Sequence, residues 1–209
     1  MIFRLHLHVM LYYMKKYFLI HAFVFVVITG YGQNETGYHY SSVLDMISIQ
    51  TGINFSKLYG KNQDAARFLV GYFIAAGLRI PVCTNFFINP SIGFFQAGSK
   101  YTQGDSYHLG YADAEADAEY DWCEPDIYVQ AGVRIRKNLS AKFKYNGASS
   151  DVKYAFKSSD EGIDGGIGYR VTPQINVFTI EYLGLSDILK GTAVGKNLSF
   201  SLGVRFNLN

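Results

Sequence analysis

The sequence predicts an all-β protein: an eight-stranded antiparallel up-and-down transmembrane β-barrel with short periplasmic turns and longer extracellular loops. Three observations predict it. Apolar and polar residues alternate with a period of two along most of the chain. The composition is rich in Tyr (17), Phe (16) and Gly (21) and poor in Pro (4), which suits strands better than helices. The connections alternate between short and long around an even number of strands, the pattern of an outer-membrane barrel.

The N-terminal segment reads as targeting information. From Met14 a basic start, Lys15 and Lys16, leads into an apolar run from Phe18 to Ile28 and then into small residues near Gly30-Tyr31-Gly32. This is the layout of a cleaved secretory signal, and the run is too short to span a bilayer comfortably. We assign 1–32 to an N-terminal extension and signal peptide, 33–45 to a short periplasmic segment and 46–209 to the barrel. Removing 1–32 takes away Arg4, Lys15 and Lys16 and no acid, so 19 basic against 17 acidic residues become 16 against 17. The apparent basicity therefore belongs to the signal and gives no reason to expect nucleic acid as a partner.

Each strand follows from its own alternation. At the C-terminus Leu198, Phe200, Leu202, Val204, Phe206 and Leu208 alternate with Asn197, Ser199, Ser201, Gly203, Arg205 and Asn207. Ile47, Ile49, Ile53 and Phe55 oppose Gln50, Gly52, Asn54 and Ser56, and Phe68 through Ile80 repeat the pattern against a mixed face ending in Arg79. Phe86, Ile88, Ile92 and Phe94 oppose Asn89, Ser91 and Gly93, while Ile127, Val133 and Ile135 oppose Gln130, Gly132, Arg134 and Arg136. Ile163, Ile167 and Tyr169 oppose Gly166, Gly168 and Arg170. Phe178, Ile180 and Tyr182 read as an apolar face against Thr179 and Glu181. The eight strands are expected at about 46–58, 66–80, 84–101, 108–122, 126–145, 162–171, 174–184 and 197–209. Short turns fall at Pro81-Val82-Cys83, Cys123-Glu124-Pro125 and Thr172-Pro173-Gln174, where proline interrupts the ladder. Longer loops fall at 59–65, 102–107, 146–161 and 185–196. A soluble, lipocalin-like barrel would have to hold every Phe and Tyr of eight long strands inside. Aromatics near strand ends, Tyr120, Trp122, Tyr182 and Phe206, instead suit membrane-interface girdles.

The stretches "IQTGINFSKLYG", "FLVGYFIAAGLRIPVCTNFFINPSIGFFQAGSKY", "DGGIGYRVTPQINVFTIEYLGLSDI" and "LSFSLGVRFNLN" resemble the PorT-type outer-membrane β-barrel proteins of Bacteroidota. The resemblance covers about 46–209 and implies a small eight-stranded barrel embedded in outer-membrane lipid. It also implies other envelope or secretion proteins as partners, since the family's namesake is associated with a secretion system. The fourth strand departs from the family pattern.

That strand, "YADAEADAEYDW", sets Asp113, Glu115, Asp117, Glu119 and Asp121 at every second position with alanines between. As a helix these carboxylates would repel at i, i+4 without a basic partner. As a calcium loop the glycine needed at position 6 is replaced by Ala118, so an EF-hand is rejected. As a strand it turns alanines to lipid and carboxylates to the lumen. The next strand answers with Arg134, Arg136, Lys142 and Lys144. Counting back from the turn sets Glu115 opposite Arg134, Asp113 opposite Arg136 and Asp105 opposite Lys144. Such pairs contribute about 0.2–1 kcal/mol each in ordinary sheets. A cation site on Asp117, Glu119 and Asp121 is the competing reading of the ladder.

No metal, cofactor or catalytic residue is assigned. After signal removal only His39 and His108 remain, with no nucleophile motif beside them. Cys83, at the start of the third strand, and Cys123, at the end of the fourth, are placed together at the periplasmic rim as a candidate disulfide. The expected role is that of a non-enzymatic outer-membrane barrel of structural or interaction type with a charge-paired lumen. The alternatives are a PorT-like part of an export apparatus and a narrow solute or ion conduit.

Overall fold

The computed structural model describes residues 46–208 except 62, 102–103, 124–125 and 192–194, and except the side chain of Cys123. The expected signal segment and the segment 33–45 lie outside the described residues. Ten strands form one sheet: β1 (Ile47–Tyr59), β2 (Leu69–Leu78), β3 (Ile80–Cys83), β4 (Phe86–Lys100), β5 (Ser106–Cys123), β6 (Ile127–Tyr145), β7 (Ala148–Asp151), β8 (Ser159–Arg170), β9 (Ile175–Gly184) and β10 (Lys196–Asn207). Each pairs antiparallel with its neighbours, β1 pairs with β10, and the remaining gap is closed by β2 against β4. β2 and β3 are halves of one wall strand interrupted at Arg79, and β7 folds back antiparallel on the end of β6. The wall therefore has eight strands, as expected.

Which face points where follows from the side chains. Ile92 is 70% exposed and Val133 57%, whereas Arg136 is 0% and Arg205 1% exposed. Apolar groups thus cover the outside and charges fill the inside, which a soluble barrel cannot tolerate and a bilayer requires. The walls are long enough to cross, since a tilted spanning strand needs roughly 9–11 residues.

Four details differ from the sequence reading. Pro81, Val82 and Cys83 are strand, and the turn is Thr84-Asn85. Pro81 is tolerated there because β3 pairs with β4 alone among the described strands, so its missing N–H breaks no ladder. β9 is reversed: Phe178, Ile180 and Tyr182 are buried in the lumen, while Val177 and Leu183 face outward beside Thr179 and Glu181. The inward aromatics fill room left by lumenal glycines, an added Cβ at Gly203 meeting Phe178 Cζ at 2.6 Å and Phe73 Cζ at 2.7 Å. Tyr182 is therefore not part of a girdle, whereas Tyr120, Trp122 and Phe206 are exposed. Finally, the expected loop 146–161 contains a hairpin, β6–β7, turned by Asn146 (φ 45°) and Gly147 (φ 82°). Asn-Gly is the preferred pair for that left-handed turn.

The long loops do not splay. Phe156 pairs with Leu189, with Lys157 N donating to Ile188 O (2.7 Å) and Lys190 N to Ala155 O (2.9 Å). Phe156 and Ile188 sink into the barrel mouth against Leu58, Phe95, Ala97, Leu109 and Ala141, with Tyr107, Val152 and Leu189 around them. An apolar plug thus seals the loop end.

Candidate functional site: the lumenal charge network

The acidic ladder of β5 lines the lumen, with Asp113, Asp117 and Glu119 buried and Glu115 and Asp121 nearly so. The register against β6 is the expected one at its centre: Glu115 pairs with Arg134 and Asp113 with Arg136. It fails further on. Tyr111 pairs with Asn138 but Gly110 with Ser140, so Leu139 is an extra, bulged residue. A one-residue bulge switches every later side chain to the other face. Ala141 is therefore buried, and Lys142 and Lys144 are exposed, Lys144 pairing with Ser106 instead of Asp105. Lys142 and Lys144 do not belong to the lumenal set.

Cross-barrel partners replace them. Glu119 accepts from Arg79 Nε (2.9 Å), Arg170 Nη2 (3.0 Å), Arg205 Nη1 (2.6 Å) and Asn89 Nδ2 (2.8 Å). Asp121 pairs with Arg170 and with Arg79 Nη2 (3.5 Å). Three guanidiniums thus converge on two carboxylates at the short-turn end. Gln130 bridges upward, its amide donating to Asp117 Oδ2 (3.0 Å) and its carbonyl accepting from Arg205 Nη2 (3.1 Å). Of the carboxylates in the competing cation-site reading, Glu119 and Asp121 are taken up by arginines.

Above this tier Arg134 Nε donates to Asp164 Oδ2 (2.9 Å), Nη2 to Glu115, and Nη1 lies 3.6 Å from Asp113. Arg136 Nε donates to Asp113 Oδ1 (3.3 Å) and Nη1 lies 3.9 Å from Asp160. Its guanidinium is held between the rings of Phe95 (3.9 Å) and Tyr182 (3.8 Å), an arrangement that offsets part of the cost of burying it. Asn197 donates to Asp160 (2.7 Å) and to Tyr111 Oη (3.1 Å). Glu115, Asp117 and Asp164 form a carboxylate triad whose candidate ligand atoms all lie within 4.8 Å of one another.

The sequence reading missed Arg79, Arg170 and Arg205 as partners, and also Asp160 and Asp164. The parity of Arg79, Arg170, Arg205 and Asp164 is visible in the sequence, since each sits on the polar face of its strand. Their contacts are not, because they cross the lumen between strands that are not neighbours. Asp160 falls in the expected loop 146–161, whereas β8 begins at Ser159 and not near 162.

The expected placement of Cys83 is corrected. Cys83 is a free, exposed cysteine. It closes the second wall strand instead of opening the third, which begins at Phe86 beyond the Thr84-Asn85 turn. The side chain of Cys123 lies outside the described residues.

A known barrel shares this architecture. Neisserial surface protein A superimposes with a TM-score of 0.54 at 18% identity, over 77% of this chain and 96% of that one. Ail, the attachment invasion locus protein of Yersinia pestis, gives 0.49 at 17% identity, over 78% and 99%. OprG of Pseudomonas aeruginosa gives 0.41 at 10% identity, over 79% and 98%. No curated protein matches in sequence. The family model for the outer membrane protein beta-barrel domain matches residues 32–190. An inside-out barrel with a charged lumen and this family match lead to one conclusion: the chain belongs to the outer membrane protein β-barrel domain family and is a barrel of the outer membrane.

Proposed function

We propose that this barrel is a non-catalytic protein of interaction type that acts through its loop-end surface and not through its lumen. The observation that carries this reading is the separation of its charges. The lumen is closed by ion pairs and by the Phe156–Ile188 plug. Lys61, Arg67, Lys100, Lys142, Lys144, Lys153, Lys157 and Lys190 are exposed at the loop end, against Asp64, Asp151 and Glu161. A chain almost neutral after signal removal thus presents a basic outer end, which favours anionic partners at the cell surface. The test is retention of the barrel, in lipid nanodiscs, on an immobilised sulfated polysaccharide. Retention that falls with salt and with Lys142, Lys144 and Lys153 changed to Glu supports the reading; retention indifferent to both sinks it.

The export-apparatus reading rests on the sequence resemblance. Capture of the native protein from its own membrane distinguishes the two, a stable stoichiometric envelope assembly favouring export. A conduit finds no support in a lumen filled by side chains.

A further inference from the structure

We propose that the triad of Glu115, Asp117 and Asp164 is a buried divalent-cation site of calcium size. The charge balance of the lumen is the first support. Among the described residues, Arg134 and Arg136 face five carboxylates in the upper lumen: Asp113, Glu115, Asp117, Asp160 and Asp164. The excess positive charge of the lower tier, Arg79, Arg170 and Arg205 against Glu119 and Asp121, offsets only part of this. Uncompensated buried charge is costly, and one divalent ion removes the deficit.

The second support is a set of oxygens without donors. Asp117 is 1% and Asp164 7% exposed, yet Oδ1 of each meets no N–H or hydroxyl donor, the three carboxylates lying against one another instead. Oδ1 of Asn89, a neutral carbonyl-type ligand directly across from Asp117 on β4, is likewise buried and unpartnered. Buried oxygens of this kind are normally satisfied. Three carboxylate oxygens within 4.8 Å of one another match the span of oxygens around calcium, whose ligands lie at about 2.3–2.6 Å.

The third support is the glycine between them. Gly132 on β6 pairs with Asp117 on one side and Asp164 on the other. A Cβ there would overlap Asp117 Oδ1, so the glycine leaves the opening across which the two carboxylates lean together. Beside Glu115 a cavity of about 10 Å³, also lined by Asp113, Arg134 and Ser201, is close to the smallest space that admits a water ligand.

Both ends of the lumen are closed, so the ion is expected to enter during folding and then to be retained. The experiment is metal analysis of the full chain refolded in detergent with calcium or with chelator, after gel filtration into metal-free buffer. One calcium per chain is expected after refolding in calcium, with a higher unfolding midpoint than the chelator-refolded protein. Asp117→Asn and Asp164→Asn, checked for folding by heat-dependent gel mobility, are expected to lose affinity about tenfold or more, whereas Asp121→Asn keeps it. Wild-type protein without stoichiometric calcium would overturn the proposal. So would a folded Asp117→Asn, Asp164→Asn double variant that retains it. The wild-type result stands even where a variant fails to fold.

Discussion

Glu119 holds together the short-turn half of the lumen, because three arginines and Asn89 from four different strands meet on its two oxygens. Glu119→Gln leaves those guanidiniums with Asp121 as the remaining carboxylate of their tier. Breaking a buried pair by removing one partner costs about 3–5 kcal/mol, so the variant is expected to unfold at clearly lower denaturant, read by circular dichroism in detergent. An unchanged midpoint would show that the tier contributes little. Gly168 offers a smaller version of the same logic. The Tyr128 ring lies over it, its Cε1 2.5 Å from the position of an added Cβ. Gly168→Ala must displace a buried aromatic, at a cost of about 1–3 kcal/mol. At this scale the sequence was informative about side and poor about partner. Arg205 and Arg170 were visible on polar faces, but nothing local says that both reach across the lumen to Glu119.

Elements explain where the sequence reading held and where it slipped. Strand number, order and the Glu115–Arg134 register follow from alternation and from counting away from a tight turn, both of which accumulate over many residues. Errors arose where one residue carried the decision. Leu139 has no composition that marks it as a bulge, yet it turns Lys142 and Lys144 outward. In β9 the large aromatics read as lipid-facing, but the lumenal glycines of β10 and β8 made room for them inside. The Asn146-Gly147 turn lies inside a polar stretch whose loop-like composition masks the signal of its dipeptide. The bulge is testable by thiol labelling in a Cys83→Ser, Cys123→Ser background. Lys142→Cys is expected to react with a water-soluble maleimide and Ala141→Cys to be protected; the reverse would restore an unbulged strand. In unmodified protein Cys83 is expected to react without reductant, since it sits free and exposed at the end of β3. Complete protection, relieved by reduction, would contradict that placement.

For the whole molecule, charges are partitioned by function: apolar outside, paired within and basic at the loop end. The partition makes the barrel a solid support for its outer surface. Plug and ion pairs close it independently, so loosening the plug alone, with Phe156→Ala and Ile188→Ala, is expected to lower stability without opening a pore. The most direct test of the account is conductance in planar bilayers across the refolded wild-type barrel. A sealed lumen predicts a current indistinguishable from bare bilayer in molar salt. Reproducible single-channel steps that Glu119→Gln or the plug substitutions alter would contradict it.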